Sequence, residues 1–220
     1  MRMKLLAVMA AMTLSAGFTS VSAADNIENV TADLIKAGIV DEADDLRLED
    51  NVSKAEALKM ICVMAQIDLS QYSEYENQFP DVTGNHWAVT YINAGNKMGI
   101  VNGDENGLFN PEQNVTSAQM QKMLVCALGY SVYADRVGGY PNGYLSYSNS
   151  LGINEGISAG PEEDLTREET MVMIYNSLDS PLLEIKWEVM EDGSYAPKYV
   201  IYDGQSAELK TFRMGFPELS

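Results

Sequence analysis

The sequence predicts a mainly α-helical protein built from three helix–loop–helix units, with a short β-hairpin-like tail at the C-terminal end. Two observations carry this prediction. Apolar helical runs occur throughout residues 25–180, and one capped segment recurs three times within them. From Pro181 onward the helical period stops, and short segments of alternating polarity take its place.

Residues 1–24 are interpreted as a secretory signal peptide. Arg2 and Lys4 form a positively charged start, residues 5–18 are mostly apolar, and the small residues of a cleavage site end at Ala23. A membrane anchor is the alternative, but the apolar run is short for a span of about 20 residues. We therefore expect an exported protein with no membrane span after the signal is removed.

The composition excludes several classes of function. A formal net charge of −18 argues against binding nucleic acid or anionic lipid by bulk attraction. His86 is the only histidine, which removes His-rich metal sites and most catalytic triads. No spacing singles out a pair of glycosidase carboxylates, so we predict no enzyme activity, cofactor or metal. Cys62 and Cys126 lie in apolar helical stretches, which favours free thiols, although export permits a disulfide.

The recurring segment is the most informative feature of the chain. In each copy a hydroxyl residue precedes an apolar helical run, and Glu or Gln follows three positions later, as in a capping box. The copies are residues 52–56 (VSKAE), 115–119 (VTSAQ) and 165–169 (LTREE). A helical stretch ending in Gly-Ile comes before each copy, so the unit is a helix, a loop and a capped helix, about 50 to 60 residues long. We place the units at residues 25–66, 79–130 and 131–180.

The tail, residues 181–220, is expected to be β-rich. Residues 183–190 alternate in polarity, residues 191–194 have the composition of a turn, and residues 198–202 are typical of a return strand. Residues 207–212 are a candidate third strand.

The middle unit resembles the S-layer homology family in its whole order of landmarks. These are residues 79–82 (FPDV), 87–88 (WA), 99–103 (GIVNG), 107–111 (GLFNP) and 115–119 (VTSAQ). The third unit is similar at residues 152–153 and 165–169, with Tyr140 in the place of Trp87. The first unit is similar at residues 38–39 and 52–56 but lacks the aromatic residue. The resemblance covers residues 25–180.

The resemblance implies a pseudo-threefold bundle with grooves between its units. Such grooves bind secondary cell-wall polysaccharide, typically bearing a pyruvyl ketal, and hold the protein on a Gram-positive-type wall. It therefore implies a secreted, non-catalytic anchoring module at the cell surface. One alternative is a structural surface-layer subunit that contacts other surface-layer proteins.

A second alternative is a calcium-binding surface protein. Residues 102–107 (NGDENG) imitate the start of an EF-hand loop, but Gln113 stands where a bidentate Glu is needed. The unit pattern already explains the glycines of this loop.

The first helical residue after each cap is the main candidate for ligand contact. Lys54 and Arg167 place a cation beside first-turn N–H groups, which suits a carboxylate but is unfavourable for the helix dipole. Ser117 departs from the family's basic residue, so its groove is expected either to bind through hydroxyl and backbone groups or to be structural. Trp87 and Tyr140 could stack on a sugar ring or pack in the core, and we favour core packing. The remaining candidates for polysaccharide binding are Thr116, Thr166, Trp87, Tyr140 and Gly103. Asp81 is expected to anchor a turn.

Overall fold

The computed structural model describes residues 27–42, 46–189, 195–200 and 210–219. This part of the chain contains seven α helices and one two-stranded sheet, which confirms the mainly α prediction. The helices are α1 Ile27–Lys36, α2 Lys54–Met64, α3 Val89–Lys97, α4 Ser117–Ala127, α5 Ser131–Arg136, α6 Asn142–Ser150 and α7 Arg167–Leu178. The predicted signal peptide lies outside the described residues.

Three of the helices, α2, α4 and α7, begin at the capping boxes expected from the sequence. In α2 the Ser53 hydroxyl accepts from the backbone N–H of Glu56, and the Glu56 carboxylate accepts from the backbone N–H of Ser53 at 3.0 Å. Thr116 and Thr166 make the same reciprocal pair with Gln119 and Glu169. Each cap contributes about 1 kcal/mol by satisfying N–H groups that the helix leaves unpaired.

The residues before the three caps form a closed ring at the centre of the molecule. Val52 donates its backbone N–H to Leu165 O at 3.2 Å, Leu165 donates to Val115 O at 3.0 Å, and Val115 donates to Val52 O at 2.8 Å. All three side chains are fully buried. The ring has the threefold pattern that the resemblance implies, because each member both donates to one neighbour and accepts from the other.

Helix packing does not follow the sequence units. Each capped helix packs against the helix that precedes the Gly-Ile pair of the next unit: α2 against α3, α4 against α6, and α7 back against α1. Each of α1, α3 and α6 is followed by a glycine in the left-handed region, and the isoleucine after that glycine is buried in the core. The first and last units are therefore in direct contact.

The tail forms the predicted hairpin. Strand β1, Glu184–Val189, pairs antiparallel with β2, Tyr195–Val200. The prediction of a third strand at residues 207–212 is wrong at its described end, because a 3₁₀ helix, Phe212–Gly215, begins there. Phe216, which follows, is buried, so this segment packs on the bundle instead of extending the sheet.

Both cysteines are free thiols, as the sequence favours. Burial raises the pKa of Cys62 to about 12 and that of Cys126 to about 11. None of the helices in the described ranges is long and apolar enough to cross a membrane.

Candidate functional site

Two grooves open on the surface between helix pairs. The first, groove A, has a volume of about 150 Å³ and is lined by Ile39, Val40, Asp41, Arg47, Glu56, Lys59, Met60, Trp87 and Arg167. The second, groove B, has a volume of about 610 Å³, and its lining includes Lys54, Ile100, Val101, Gly103, Asp104, Gln119, Lys122, Met123 and Tyr140. Both grooves contain cations and an aromatic ring.

The two grooves are built from equivalent positions of the fold. In each, one capped helix supplies the Glu or Gln that completes its capping box, a lysine and a methionine. We call this Glu or Gln, three positions after the cap, the third capping residue. The next unit supplies the aromatic residue. A third unit supplies the cation that follows its cap. In this order groove A has Glu56, Lys59, Met60, Trp87 and Arg167, and groove B has Gln119, Lys122, Met123, Tyr140 and Lys54. Each groove therefore draws residues from all three units.

The two cations predicted from the sequence lie in different grooves. Arg167 is 7% exposed and places Nη1 3.9 Å from Glu56 Oε1 in groove A. Lys54 lies in groove B and donates from Nζ to Gln113 Oε1 at 3.1 Å. Burial lowers the pKa of Lys54, while the carboxylates of Asp104 and Asp81 oppose that shift.

A second cation in each groove escaped the sequence analysis. Lys59 in groove A pairs with Asp41 at 2.9 Å, and Lys122 in groove B lies 5.5 Å from the centre of the Tyr140 ring. The signal was present, since both lysines stand at the same distance from their cap. The corresponding residue of the third capped helix is Val172, which is buried.

The helix N–H groups do not take part in the site, which corrects one expectation. Lys54 donates its backbone N–H to Gln113 O at 2.8 Å, Ser117 donates to Glu163 O at 2.9 Å, and Arg167 donates to Asp50 O at 2.8 Å. The Thr116 and Thr166 hydroxyls accept from the third N–H of their own helices. These three N–H groups are therefore not available to a ligand.

The two aromatic candidates are exposed, so the favoured expectation of core packing is wrong. Trp87 is 52% exposed and Tyr140 is 49% exposed. Their rings lie at the groove walls, tilted against Tyr91 and Tyr144 with centroids 6.5 Å apart in both pairs. About half of each of these two side chains is therefore open to solvent at the groove wall.

Ser117 does not provide a third cationic site. Its side chain is 1% exposed, and its hydroxyl accepts from Gln121 Nε2 at 3.0 Å. Ser117 and Val172 stand at the positions of the two groove cations. The interface between the second and third units that corresponds to grooves A and B therefore has no positive charge at either position.

The loop that borders groove B is held by two carboxylates. Asp81 accepts from the backbone N–H groups of Phe109 at 3.1 Å and Asn110 at 2.6 Å, which makes it an anchor of this loop. Gly103 has a φ of 76°, and a Cβ there would lie 2.9 Å from the Phe79 ring, so only glycine fits.

The calcium-like segment of this loop, residues 102–107, is shaped by hydrogen bonds to Asp104. Asp104 Oδ1 accepts from the backbone N–H groups of Asn106 at 2.8 Å and Leu108 at 2.9 Å. Its carboxylate is thus used to shape the loop. Among the described residues, no cluster of three or more His, Cys, Asp or Glu side chains could hold a metal ion.

Comparisons with known proteins point to the bacterial cell surface. The family model described as S-layer homology domain matches residues 78–120, which include Trp87 and Gly103. A protein named cell surface protein from Thermoanaerobacter kivui is 30% identical over 53% of this chain and 15% of its own length. The middle cell wall protein of Brevibacillus brevis is 30% identical over 52% of this chain and 11% of its own length. An uncharacterized cell wall amidase of Bacillus anthracis is 28% identical over 57% of this chain and 25% of its own length. The chain thus spans a quarter or less of each of these relatives.

Proposed function

We propose that this chain, which belongs to the S-layer homology family through residues 78–120, is a non-catalytic module that anchors protein to a bacterial cell wall. Its ligand is an acidic secondary cell-wall polysaccharide, bound in grooves A and B. The observation that carries the proposal is the repeated combination of an exposed aromatic ring with two cationic side chains in equivalent positions.

Each part of that combination suits an acidic sugar. The exposed rings of Trp87 and Tyr140 offer flat apolar faces to the C–H face of a pyranose. The cations offer charge-assisted hydrogen bonds, which contribute about 1.5 to 3 kcal/mol each. A carboxylate such as that of a pyruvyl ketal fits this donor set. Because the chain as a whole is strongly acidic, an anionic polymer is attracted only by such local groups.

The relatives support a role at the cell surface and leave room for a second function. Two of them are named for the cell surface or the cell wall, and one is named as an amidase, of which this chain matches only a quarter. We propose a secreted, surface-located targeting module. A structural surface-layer subunit is the second candidate, because several further relatives are named surface-layer or S-layer proteins.

Co-sedimentation with cell-wall sacculi tests the proposal. We expect the protein to sediment with intact sacculi and to stay in the supernatant once the secondary polymer has been stripped. The double variant Lys54→Ala/Arg167→Ala should lose most of the sedimentation, since it removes one cation from each groove. Because Arg167 is buried, Lys59→Ala/Lys122→Ala is a second test of the same grooves.

Lys36→Ala/Lys97→Ala is the matched control, since both lysines are exposed outside the two grooves. It should sediment like the unchanged protein. Sedimentation that does not depend on the polymer would overturn the polysaccharide ligand, and unchanged sedimentation of both groove variants would overturn the assigned site.

A further inference from the structure

The third capping residue is Glu56 in groove A and Gln119 in groove B, and both complete the capping box of their helix. Glu56 Oε2 accepts from the backbone N–H of Ser53 at 3.0 Å. Gln119 Oε1 accepts from the backbone N–H of Thr116 at 3.2 Å. Either residue type completes a capping box. The difference between Glu and Gln is therefore not needed to start the helices.

The difference does change the charge that each groove presents. The second oxygen of Glu56 lies 3.3 Å from Arg47 Nη2 and 3.9 Å from Arg167 Nη1. Burial raises the pKa of Glu56, but hydrogen bonds from Ser53 and the charges of Arg167 and Arg47 lower it by more, so the carboxylate stays ionised. Groove A thus contains an anion beside its own cations.

Groove B has no carboxylate at the position that corresponds to Glu56. Gln119 is neutral, and no carboxylate of the described residues lies within 4 Å of the Lys54 or Lys122 ammonium groups. Asp104 and Glu105 also line this groove, and the charge of Asp104 acts on Lys54. The Asp104 carboxylate nevertheless accepts from two backbone N–H groups of its own loop and does not pair directly with either ammonium group. In groove A, by contrast, each of the three lining cations lies within 4 Å of a carboxylate. The ammonium groups of groove B are therefore more available to a ligand carboxylate than the cations of groove A.

We propose that the third capping residue sets the affinity of each groove for a carboxylate, so that groove B is the strong site and groove A the weak one. The inference rests on the proposed function and adds a difference between its two sites. A ligand carboxylate in groove A must compete with Glu56 for Arg167 and is repelled by it, whereas Gln119 can donate its amide N–H to the same carboxylate.

A reciprocal exchange tests this proposal. Glu56→Gln and Gln119→Glu both retain a capping box, so neither should disturb the fold. Met60 lines groove A and Met123 lines groove B, so methionine ε-methyl groups labelled with ¹³C report on each groove separately by NMR. The probe is a monosaccharide bearing a pyruvyl ketal, and the same sugar without the ketal is the control.

We expect the Met123 signal to titrate at a probe concentration about tenfold lower than the Met60 signal. Glu56→Gln should bring the Met60 titration close to that of Met123. Gln119→Glu should weaken the Met123 titration by about tenfold. Gln119→Glu should leave the thermal midpoint within about 2 °C of that of the unchanged protein. Glu56→Gln should lower the midpoint, because Arg47 and Arg167 lose an ion-pair partner.

The possible failures are distinguishable. If both methyl groups titrate equally and the exchanges change nothing, groove binding stands and the role of the capping residue is overturned. If neither methyl group responds to the pyruvylated probe, groove binding of an acidic sugar fails, and the difference in affinity fails with it. A response to the sugar without the ketal that is equally strong overturns carboxylate recognition.

Discussion

Gln121 and Ser117 form a hydrogen bond inside the bundle, with Gln121 Nε2 3.0 Å from Ser117 Oγ. Both side chains are buried. The equivalent positions of Gln121 in the other two capped helices are Leu58 and Met171, which are fully buried and apolar. Gln121 therefore places polar atoms where the other two capped helices have apolar side chains. Its partner Ser117 stands at the position where the other units supply a groove cation.

This pair predicts that Gln121→Met stabilises the protein. Gln121 Oε1 is buried without a hydrogen-bond partner in the structure, and an unsatisfied buried acceptor costs about 1 to 3 kcal/mol. Since the change also removes the bond to Ser117, we expect a net gain of about 1 kcal/mol in the free energy of unfolding. Urea denaturation measures it, with the exposed Gln113→Met as control. A loss of stability would show that an ordered water satisfies Gln121.

Exposure of the groove aromatics predicts a separation of binding from stability. Trp87→Ala and Tyr140→Ala should change the free energy of unfolding by about 0.5 kcal/mol or less, because the rings are half exposed. Each should nevertheless weaken co-sedimentation with sacculi. Tyr75→Ala is the control, since Tyr75 is also exposed but does not line either groove. A large loss of stability in Trp87→Ala would favour a packing role.

Ionisation of Glu56 predicts a loss of stability in acid. Its pKa lies below the ordinary value of 4.5 in the folded protein, where Ser53, Arg167 and Arg47 outweigh the effect of burial. The stabilisation is therefore complete above pH 4.5 and disappears as the pH falls through the folded-state pKa. Glu56→Gln keeps the cap but cannot titrate, so its stability should decline less steeply below that pH. Identical acid profiles of the two proteins by urea denaturation would contradict this account.

Packing of the C-terminal segment predicts that it contributes to the stability of the bundle. Phe216 is 5% exposed, and Arg213 Nε donates to Asp179 Oδ1 at 2.6 Å. Phe216→Ala should lower the free energy of unfolding by about 3 kcal/mol. Met214→Ala is the matched control, because Met214 is 58% exposed, and it should be nearly neutral. Equal effects of the two substitutions would show that the segment does not pack on the bundle in solution.

Local features of the fold could be predicted from the sequence because their causes are local. The three capping boxes and the hairpin depend on residues a few positions apart, and both are observed. The partners of each groove could not be predicted in this way. Lys54 begins α2 but lies in groove B, because its groove is assembled from other units by the closed ring.

The same reason explains two errors. First-turn N–H groups are unpaired within a helix, but here the loop of another unit accepts from them, and that contact joins residues as far apart as Arg167 and Asp50. Large aromatic side chains are usually expected in a core, yet the bundle places Trp87 and Tyr140 at its surface. Both outcomes depend on contacts between units, which the pattern within one unit does not contain.

The closed ring of Val52, Val115 and Leu165 fixes how many units this architecture can hold. An open solenoid can be lengthened, since its end repeats leave faces on which another repeat can stack. Here each ring member already donates and accepts, and α7 packs on α1, so the series has no end at which a fourth unit could be added. Deleting any one unit would leave a donor and an acceptor of the other two without partners. The three units therefore form one indivisible bundle, and we expect it to fold and unfold in a single cooperative step.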